Sequence, residues 1–241
     1  MTEATPRWRR AARVMHLWLR YVGGRAGPNE TLADFRDWIA TTFLGRNLLT
    51  AGWPWITFPA MRWLASYLRP SMSVFEWGSG GSTLFFARRV ARVVSVEYDA
   101  VWCEAVAVRL RAQGLGNALV QLLPPEPGND GALYRSSAVE FVGMSFRRYV
   151  HSVLDYPDGS FDVILVDGRA RLGCLVTALP KLKDDGVLIL DNSEREDAAE
   201  ACALLTGPAW TVRHFTGPGP HSAWPVFWRT TAFFRVPPEK A

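Results

Sequence analysis

Short apolar runs recur along the part of the chain that follows residue 72. Five of them are rich in apolar and β-branched residues, and they cover residues 73–76, 93–97, 118–123, 161–167 and 186–191. Near-continuous apolar strands that alternate with helices are typical of a parallel sheet covered on both faces. Right-handed crossovers between such strands predict an α/β fold with a doubly wound, Rossmann-like sheet.

Two later runs, at residues 210–216 and 230–236, have no helical pattern between them. They predict an antiparallel pair that closes the sheet. The connection at 217–229 contains three prolines and is long for a hairpin. Long ordered loops are often functional, so this loop is a candidate part of a site.

Helical periodicity predicts the remaining elements. A helix is predicted before the fourth strand, because apolar residues recur there at i, i+3, i+4, i+7 and i+8. These residues are Phe146, Tyr149, Val150, Val153 and Leu154. Further helices are predicted at residues 101–113, 171–182 and 34–44, and a basic, partly amphipathic helix is predicted at residues 5–22.

Charge and tryptophan divide the chain of 241 residues into two parts. Residues 1–70 hold ten basic and four acidic side chains and six of the eleven tryptophans, whereas the rest carries a small negative charge. We therefore expect a basic, Trp-rich helical extension at 1–70 and the main domain at 71–241. The composition, 49% apolar and 21% charged, excludes a disordered chain. The longest uncharged stretch, 47–61, contains two prolines and is shorter than the roughly 20 residues of a membrane span.

The three cysteines are Cys103, Cys174 and Cys202, and their spacing fits neither a disulfide framework nor a zinc motif. Together with the lack of an apolar signal segment, this favours a cytoplasmic location.

The stretch 74–83, VFEWGSGGST, carries the chemistry. A strand ends in an acid, glycines follow, and two hydroxyl residues open a helix; the candidate binding residues are Glu76, Gly78, Ser79, Gly80, Ser82 and Thr83. Glycines let the backbone approach a ligand closely. The acid would repel a pyrophosphate, so a ligand with a cationic centre and one carboxylate fits better. S-adenosylmethionine has both.

A second acid, Glu97, ends the next strand of the predicted sheet. The ends of neighbouring parallel strands meet at one crevice, and a carboxylate there can accept both hydroxyl hydrogens of a ribose. Tyr98 and Asp99 follow directly and are candidates to border the adenine.

These motifs resemble those of class I S-adenosylmethionine-dependent methyltransferases. VFEWGSGGST is similar to the first family motif, acid-x-Gly-x-Gly-x-Gly, in the branch with GSGxST, where Ser82 stands for the last glycine. VVSVEYD, FDVILVDG and GVLILDN resemble the later strand motifs. The resemblance covers roughly residues 53–236. It implies a seven-stranded sheet whose last strand is antiparallel, and a methyl transfer from S-adenosylmethionine.

Oxygen-bearing side chains follow the fourth and fifth predicted strands: Asp167, Asp191 and Asn192. This pattern is similar to that of divalent-metal-dependent catechol-type O-methyltransferases, and the resemblance implies a Mg²⁺ site at these three residues. Two other interpretations stay open. Asp191 or Asn192 can cap a helix opening at 193–194, and Asp167 can contact the cofactor or substrate or act as the catalytic base.

Histidines offer a second candidate base. His221 lies in the proline-rich loop at the edge of the cofactor site, whereas His151 lies on the polar side of its predicted helix and reads as a surface residue. Arg169 and Arg171, beside Asp167, can bind an acidic substrate or simply begin a helix in solvent.

The sequence predicts an O-methyltransferase that acts on a small molecule, such as a sugar or natural product. N-methylation, a nicotinamide dinucleotide oxidoreductase and a non-catalytic S-adenosylmethionine-binding protein are the rival hypotheses. The extension at 1–70 is expected to cover the active site, with a homodimer contact or membrane-surface contact through residues 5–22 as alternatives. No nucleic-acid-binding module is recognised.

Overall fold

The computed structural model describes residues 16, 18–20, 28–220 and 227–236. The described helices are α1 (Pro28–Thr42), α2 (Leu48–Ala51), α3 (Phe58–Tyr67), α4 (Gly81–Ala87), α5 (Ala100–Ala112), α6 (Arg147–His151), α7 (Arg171–Ala178) and α8 (Glu196–Ala203). The strands are β1 (Ser73–Trp77), β2 (Arg92–Glu97), β3 (Ala118–Leu122), β4 (Glu126–Pro127), β5 (Met144–Ser145), β6 (Phe161–Val166), β7 (Leu182–Leu190), β8 (Trp210–Pro218) and β9 (Phe227–Arg235). Strands β4 and β5 form a separate two-stranded ribbon.

The main sheet has the strand order β3-β2-β1-β6-β7-β9-β8. The first five strands in this order are parallel, and β9 is antiparallel to both β7 and β8. The predicted Rossmann-like sheet with an antiparallel last strand is therefore confirmed. The chain runs outward from β1 to β3 and then returns to β6, so the order reverses beside β1. Such a reversal opens a crevice at the carboxyl ends of β1 and β6.

Alternating side chains of each strand enter two cores, one on each face of the sheet. On β1, Val74 packs into the core formed with α3 and α4, whereas Phe75 and Trp77 pack into the core formed with α6 and α7. Because both faces are buried, the central strands are apolar along most of their length, as the sequence indicated.

The end of the N-terminal segment belongs to the first of these cores. Ile56, Phe58 and Leu64 are buried with Val74. The hydroxyl of Thr57 donates to the carbonyl of Phe215 on β8 at 3.1 Å. The predicted extension at 1–70 thus continues into the covering layer of the sheet, and its standing as a separate unit stays a prediction.

Helix α1 begins six residues before the predicted start at residue 34 and ends at Thr42. Asp34, the first residue of the predicted helix, is buried inside α1 and pairs with Arg62 of α3. An ion pair between two helices therefore lies where the sequence predicted the start of the helix.

The helix predicted at residues 146–154 is shorter than expected. Helix α6 ends at His151, and a 3₁₀ turn, Ser152–Asp155, follows. Phe146, Tyr149, Val150 and Val153 are buried as predicted, but Leu154 is 44% exposed. A 3₁₀ turn holds about three residues per turn, so it rotates Leu154 away from the core.

Other boundaries differ by a few residues. Helix α7 ends at Ala178, and β7 already begins at Leu182. Strands β8 and β9 pair from Trp210–Arg235 to Pro218–Phe227, so they take up both ends of the predicted loop. Residues 221–226, with His221, and most of the predicted basic helix at 5–22 lie outside the described residues. In the described part of the chain, no helix has the length and apolar character to cross a membrane.

Candidate functional site

A cavity of about 990 Å³ opens at the carboxyl ends of β1, β2, β6 and β7. This is the crevice that the sheet topology predicts. The loop after β1, the ends of the other three strands and part of the N-terminal segment enclose it. Its walls include Leu48, Trp53, Trp55, Gly78, Ser79, Gly80, Gly81, Ser82, Glu97, Tyr98, Asp99, Trp102, Asp167, Asp191, Asn192 and Trp228.

The glycines of the first loop are required by close contacts. Gly78 has a φ of +98°, and a Cβ there would lie 2.9 Å from the carbonyl oxygen of Asp167. A Cβ on Gly81 would lie 2.1 Å from the carbonyl oxygen of Trp53. The loop is therefore held between the end of β6 and the N-terminal segment. A side chain at either position would push these backbones apart.

Glu76 lies beneath this loop and is fully buried. Its Oε1 accepts hydrogen bonds from the hydroxyls of Thr83 and Ser95, while its Oε2 has no partner among the described residues. Burial raises the pKa of Glu76 to about 7. Near neutral pH the carboxyl is thus partly protonated, which weakens the argument that its charge repels a pyrophosphate.

Glu76 and Thr83 support the loop from below, whereas Gly78, Ser79, Gly80 and Ser82 reach the cavity wall. The hydroxyl of Thr83 also accepts the N–H of Gly80 at 3.0 Å. The direct contact of Glu76 and Thr83 with a ligand stays a prediction.

Glu97 ends β2 at the cavity wall and is almost completely buried. One carboxylate oxygen accepts the backbone N–H and the hydroxyl of Ser79. The other accepts the N–H groups of Tyr98 and Asp99. The carboxylate therefore joins the first loop to the end of the second strand.

Two aromatic side chains continue this wall. Trp102 donates its indole N–H to the carbonyl of Ser79 at 2.7 Å. The hydroxyl of Tyr98 accepts a hydrogen bond from Arg169 at 3.0 Å, and the same guanidinium lies over the Tyr98 ring. Asp99 caps α5 by accepting the N–H of Trp102. Tyr98 and Asp99 thus line the cavity, and their contact with an adenine stays a prediction.

The structure brings Asp167, Asp191 and Asn192 together at the ends of β6 and β7, as predicted. The guanidinium of Arg171 lies among them, 3.3 Å from Asp167 Oδ1 and 3.1 Å from Asn192 Oδ1. The carboxylate of Asp191 turns instead to Trp228 and Thr230, whose N–H and hydroxyl it accepts at 2.9 and 2.5 Å.

This arrangement gives the predicted magnesium site no support. The oxygens that face each other already bind a cation, the guanidinium. Within the described ranges, no three His, Cys, Asp or Glu side chains are grouped so as to hold a metal ion. The residues therefore do not fit Mg²⁺ in this arrangement.

Both aspartates have raised pKa values. Burial raises the pKa of Asp191 to about 6. Burial, together with the charge of Asp191, raises the pKa of Asp167 well above its usual range, although the Arg171 guanidinium acts in the opposite direction. Asp167 also lines the cavity, and its raised pKa means that it holds a proton more tightly than an ordinary aspartate.

Several other predictions concern residues near this edge. Helix α8 begins at Glu196 with Arg195 as its capping residue, so Asp191 and Asn192 are not helix caps. His151 contacts the hydroxyl of Tyr134 at 3.0 Å and does not line the cavity. Arg171 is not a solvated arginine, because its side chain is only 15% exposed. His221 cannot be placed, since it lies outside the described residues.

The sequence did not indicate that Leu48 and Trp53 line the cavity. The signal was the tryptophan-rich N-terminal segment, but its contact with the glycine loop cannot be read from composition. Trp77, the tryptophan of the glycine motif, lies in the core below the site and not in its wall, and its indole N–H donates to the carbonyl of Tyr149 at 2.8 Å.

No protein-family model matches the sequence, and no curated protein matches it. Several solved structures are similar to this chain. The O-methyltransferase TomG from Streptomyces achromogenes, involved in tomaymycin synthesis and solved with S-adenosylmethionine, is 14% identical with a TM-score of 0.55, over 97% of this chain and 100% of that one. A Klebsiella pneumoniae protein, assigned provisionally as an O-methyltransferase, is 15% identical with a TM-score of 0.54, over 95% and 98% of the two chains.

An rRNA methylase from Streptococcus thermophilus is 16% identical with a TM-score of 0.51, over 74% of this chain and 96% of that one. At such low identities the likeness establishes the fold. The chain therefore has the Rossmann-like fold of S-adenosylmethionine-dependent methyltransferases. One of these neighbours is described as an rRNA methylase and another takes part in tomaymycin synthesis, so the fold leaves the acceptor open.

Proposed function

We propose that the chain is an S-adenosylmethionine-dependent methyltransferase that methylates a hydroxyl group of a small molecule. The position of Glu97 carries the proposal: its carboxylate lies in the cavity wall directly beside the glycine loop. A carboxylate next to a close-fitting backbone loop, at the point where the strand order reverses, suits a ligand with a ribose diol.

The cavity has room for a cofactor and an acceptor together. Its volume of about 990 Å³ lies at the upper end of the range of roughly 300–1,000 Å³ that is usual for small-molecule sites. Glu97 would hold the ribose hydroxyls, and the backbone of Gly78 and Gly80 would lie along the amino-acid part. Tyr98 and Asp99 border the same end of the cavity and would flank the adenine.

When bound, S-adenosylmethionine supplies a methyl group on a sulfonium, which a nucleophile displaces in line. The chain then has to orient the acceptor and remove its proton. Asp167 lies in the cavity wall, and among the described residues its Oδ2 has no hydrogen-bond partner. We assign this oxygen as the acceptor of the hydroxyl proton.

The N-terminal segment would cover the acceptor. Trp53 and Trp55 line the cavity, and Trp55 is 51% exposed. Flat aromatic walls that keep one face open suit a planar or sugar-like molecule. TomG and the Klebsiella protein, both described as O-methyltransferases, match nearly the full length of this chain, including this segment. This supports a small-molecule acceptor.

Calorimetry with the purified chain tests the cofactor assignment. We expect S-adenosylmethionine and S-adenosylhomocysteine to bind with one site per chain, and NAD⁺ and NADH not to bind. Binding of the dinucleotides alone would instead support an oxidoreductase. Binding of S-adenosylmethionine without turnover on any acceptor would support a non-catalytic binding protein.

The acceptor is found by incubation with S-adenosylmethionine labelled on its methyl group. Panels of hydroxylated and aminated metabolites are compared, and the labelled product is analysed by mass spectrometry. Label on oxygen supports the proposal, whereas label only on amines supports N-methylation. Each positive reaction is repeated with a chelator, and we expect the rate to be unchanged.

A further inference from the structure

We infer that Arg171 is a built-in cation that positions Asp167 and Asn192 at the reaction edge, in the place that a divalent metal ion would otherwise take. This inference deepens the proposed function, and its catalytic part rests on that function. Its structural part concerns only the binding of cations to this chain, and can be tested separately.

The guanidinium uses every N–H that an arginine has. Nε donates to the carbonyl of Gly168 at 3.2 Å. Nη1 donates to the carbonyl of Asp191 at 2.7 Å and to Asn192 Oδ1 at 3.1 Å. Nη2 donates to Asp167 Oδ1 at 3.3 Å and to Asn192 Oδ1 at 3.1 Å. An arginine has five N–H donors, so none is left to bind a substrate.

The acceptors are the kind that a hard cation selects. They are one carboxylate oxygen, one amide side-chain oxygen and two backbone carbonyls, and Mg²⁺ and Mn²⁺ bind oxygens of these types. All four oxygens point at the same guanidinium. A metal ion and the Arg171 side chain therefore exclude each other, since both need the same space and the same lone pairs.

Burial and backbone geometry support the same inference. The side chains of Arg171 and Asp167 are only 15% and 18% exposed, so their attraction is poorly screened. Asn192 has a φ of +52°, in the left-handed region that asparagine adopts more often than most other residues with a side chain. Its double contact with Arg171 holds the turn after β7.

For the reaction, the contact with Arg171 fixes the position of the Asp167 carboxylate. Arg171 holds Asp167 through Oδ1, and the other carboxylate oxygen, Oδ2, is the one assigned above as the proton acceptor. Arg171 is thus a positioning residue, which acts through Asp167 and does not touch the acceptor. The chain would then methylate its acceptor without a metal ion, because the fixed guanidinium already supplies the positive charge at this edge.

Binding of Mn²⁺ tests the inference. It is measured by calorimetry and by the electron paramagnetic resonance of the ion. The proteins are the wild type, Asp167→Asn, Arg171→Ala, Arg171→Gln, Arg171→Lys and the double variant Arg171→Ala with Asp167→Asn. Arg169→Ala is the matched control, since it removes a neighbouring cavity arginine whose contacts are with Tyr98 and Glu140. Glutamine is included in case the alanine variant fails to fold.

We expect Mn²⁺ to bind Arg171→Ala or Arg171→Gln at least about ten-fold more tightly than the wild type, since the freed oxygens suit a divalent ion. The thermal unfolding temperature of Arg171→Ala and of Arg171→Gln should rise when Mn²⁺ is added. The double variant should lose this binding, and neither Arg171→Lys nor Arg169→Ala should gain it. Tight Mn²⁺ binding by the wild type that depends on Asp167 would overturn the inference, and so would folded alanine and glutamine variants without any gain.

Titration of each protein with S-adenosylhomocysteine separates the two proposals. If the wild type binds no S-adenosylhomocysteine but the Mn²⁺ pattern holds, the proposed function fails and the cation assignment stands. If S-adenosylhomocysteine binds and the Mn²⁺ pattern is absent, the cation assignment fails and the cofactor assignment stands.

Discussion

The carboxylate of Glu97 accepts two hydrogen bonds from Ser79, one from its backbone N–H at 3.1 Å and one from its hydroxyl at 2.9 Å. The N–H groups of Tyr98 and Asp99 fill the other oxygen, at 2.8 and 3.0 Å. A carboxylate offers about four acceptor positions, so all are occupied. If the Ser79 hydroxyl turns away, one of these positions becomes free, and Glu97 can then accept a hydrogen bond from one ribose hydroxyl.

Ser79→Ala should therefore strengthen the binding of S-adenosylhomocysteine. The change removes a competitor for the Glu97 oxygen, and one hydrogen bond is worth roughly 0.5–1.5 kcal/mol, which is the largest gain expected. Calorimetry measures it, with Ser66→Ala as the control because that hydroxyl lies on the exposed end of α3. Weaker binding by Ser79→Ala would mean that the hydroxyl itself contacts the ligand.

Glu97→Ala should weaken S-adenosylhomocysteine binding by roughly 1–3 kcal/mol, the usual contribution of hydrogen bonds to a charged group. Because Glu97 also orders the loop, the ligand is varied as well. An analogue without the ribose hydroxyls should bind the wild type more weakly than S-adenosylhomocysteine. It should bind the variant about as well as S-adenosylhomocysteine does. An equal loss in both proteins would show that Glu97 does not contact the ribose.

Gly81→Ala should destabilise the fold, because the new Cβ would lie 2.1 Å from the carbonyl oxygen of Trp53 and 2.8 Å from that of Leu48. Overpacking of this kind costs about 1–3 kcal/mol or more. Gly80→Ala is the matched control, since its Cβ would meet the Trp102 ring at an ordinary 3.6 Å. Urea unfolding should show a large loss for the first variant and less than about 1 kcal/mol for the second. Equal stability of both would contradict the close contact with the N-terminal segment.

Glu76 predicts a dependence of stability on pH. Burial raises its pKa from the ordinary 4.5 to about 7 in the folded chain. The folded state therefore binds the proton more tightly than the unfolded state. The resulting stabilisation is complete below pH 4.5 and is lost as the pH rises through about 7.

Glu76→Gln removes this titration but keeps an oxygen for the hydroxyls of Thr83 and Ser95. The free energy of unfolding of the wild type, relative to the variant, should fall by roughly 3 kcal/mol between about pH 4.5 and 8.5, at 1.36 kcal/mol per pKa unit. Urea unfolding at several pH values measures the difference, and the other titrating groups cancel. A difference that stays constant with pH would show that Glu76 ionises at its ordinary pKa.

The sheet was predictable from the sequence because its strands are buried on both faces, so their apolar runs are continuous. The antiparallel last strand followed from two runs with no helix between them. Boundaries were less predictable where tertiary contacts decide them. Asp34, where the sequence predicted the start of a helix, lies inside α1 and pairs with Arg62 of α3, and no local pattern shows that partner.

The site was predictable where it is local in sequence. The glycine loop and Glu97 come from two adjacent strand–turn segments, and the topology brings them together. The role of Arg171 was not predictable, since its acceptors come from two strand ends and a left-handed turn at Asn192. In the sequence, the oxygen-bearing residues Asp167, Asp191 and Asn192 resemble a metal site. Only the structure shows that the guanidinium of Arg171 lies among them.

Trp102→Phe should weaken S-adenosylhomocysteine binding while leaving the fold nearly as stable. The indole N–H donates to the carbonyl of Ser79 at 2.7 Å, and this bond ties α5 to the glycine loop at the cavity wall. Phenylalanine keeps an aromatic wall but loses the bond, so the loop is less ordered before the ligand arrives, at a cost of roughly 0.5–1.5 kcal/mol in affinity. Trp210→Phe makes the same chemical change at the start of β8, away from the cavity, and should leave the affinity unchanged. If the two variants bind the ligand equally well, the bond from Trp102 to Ser79 does not prepare the loop for the ligand.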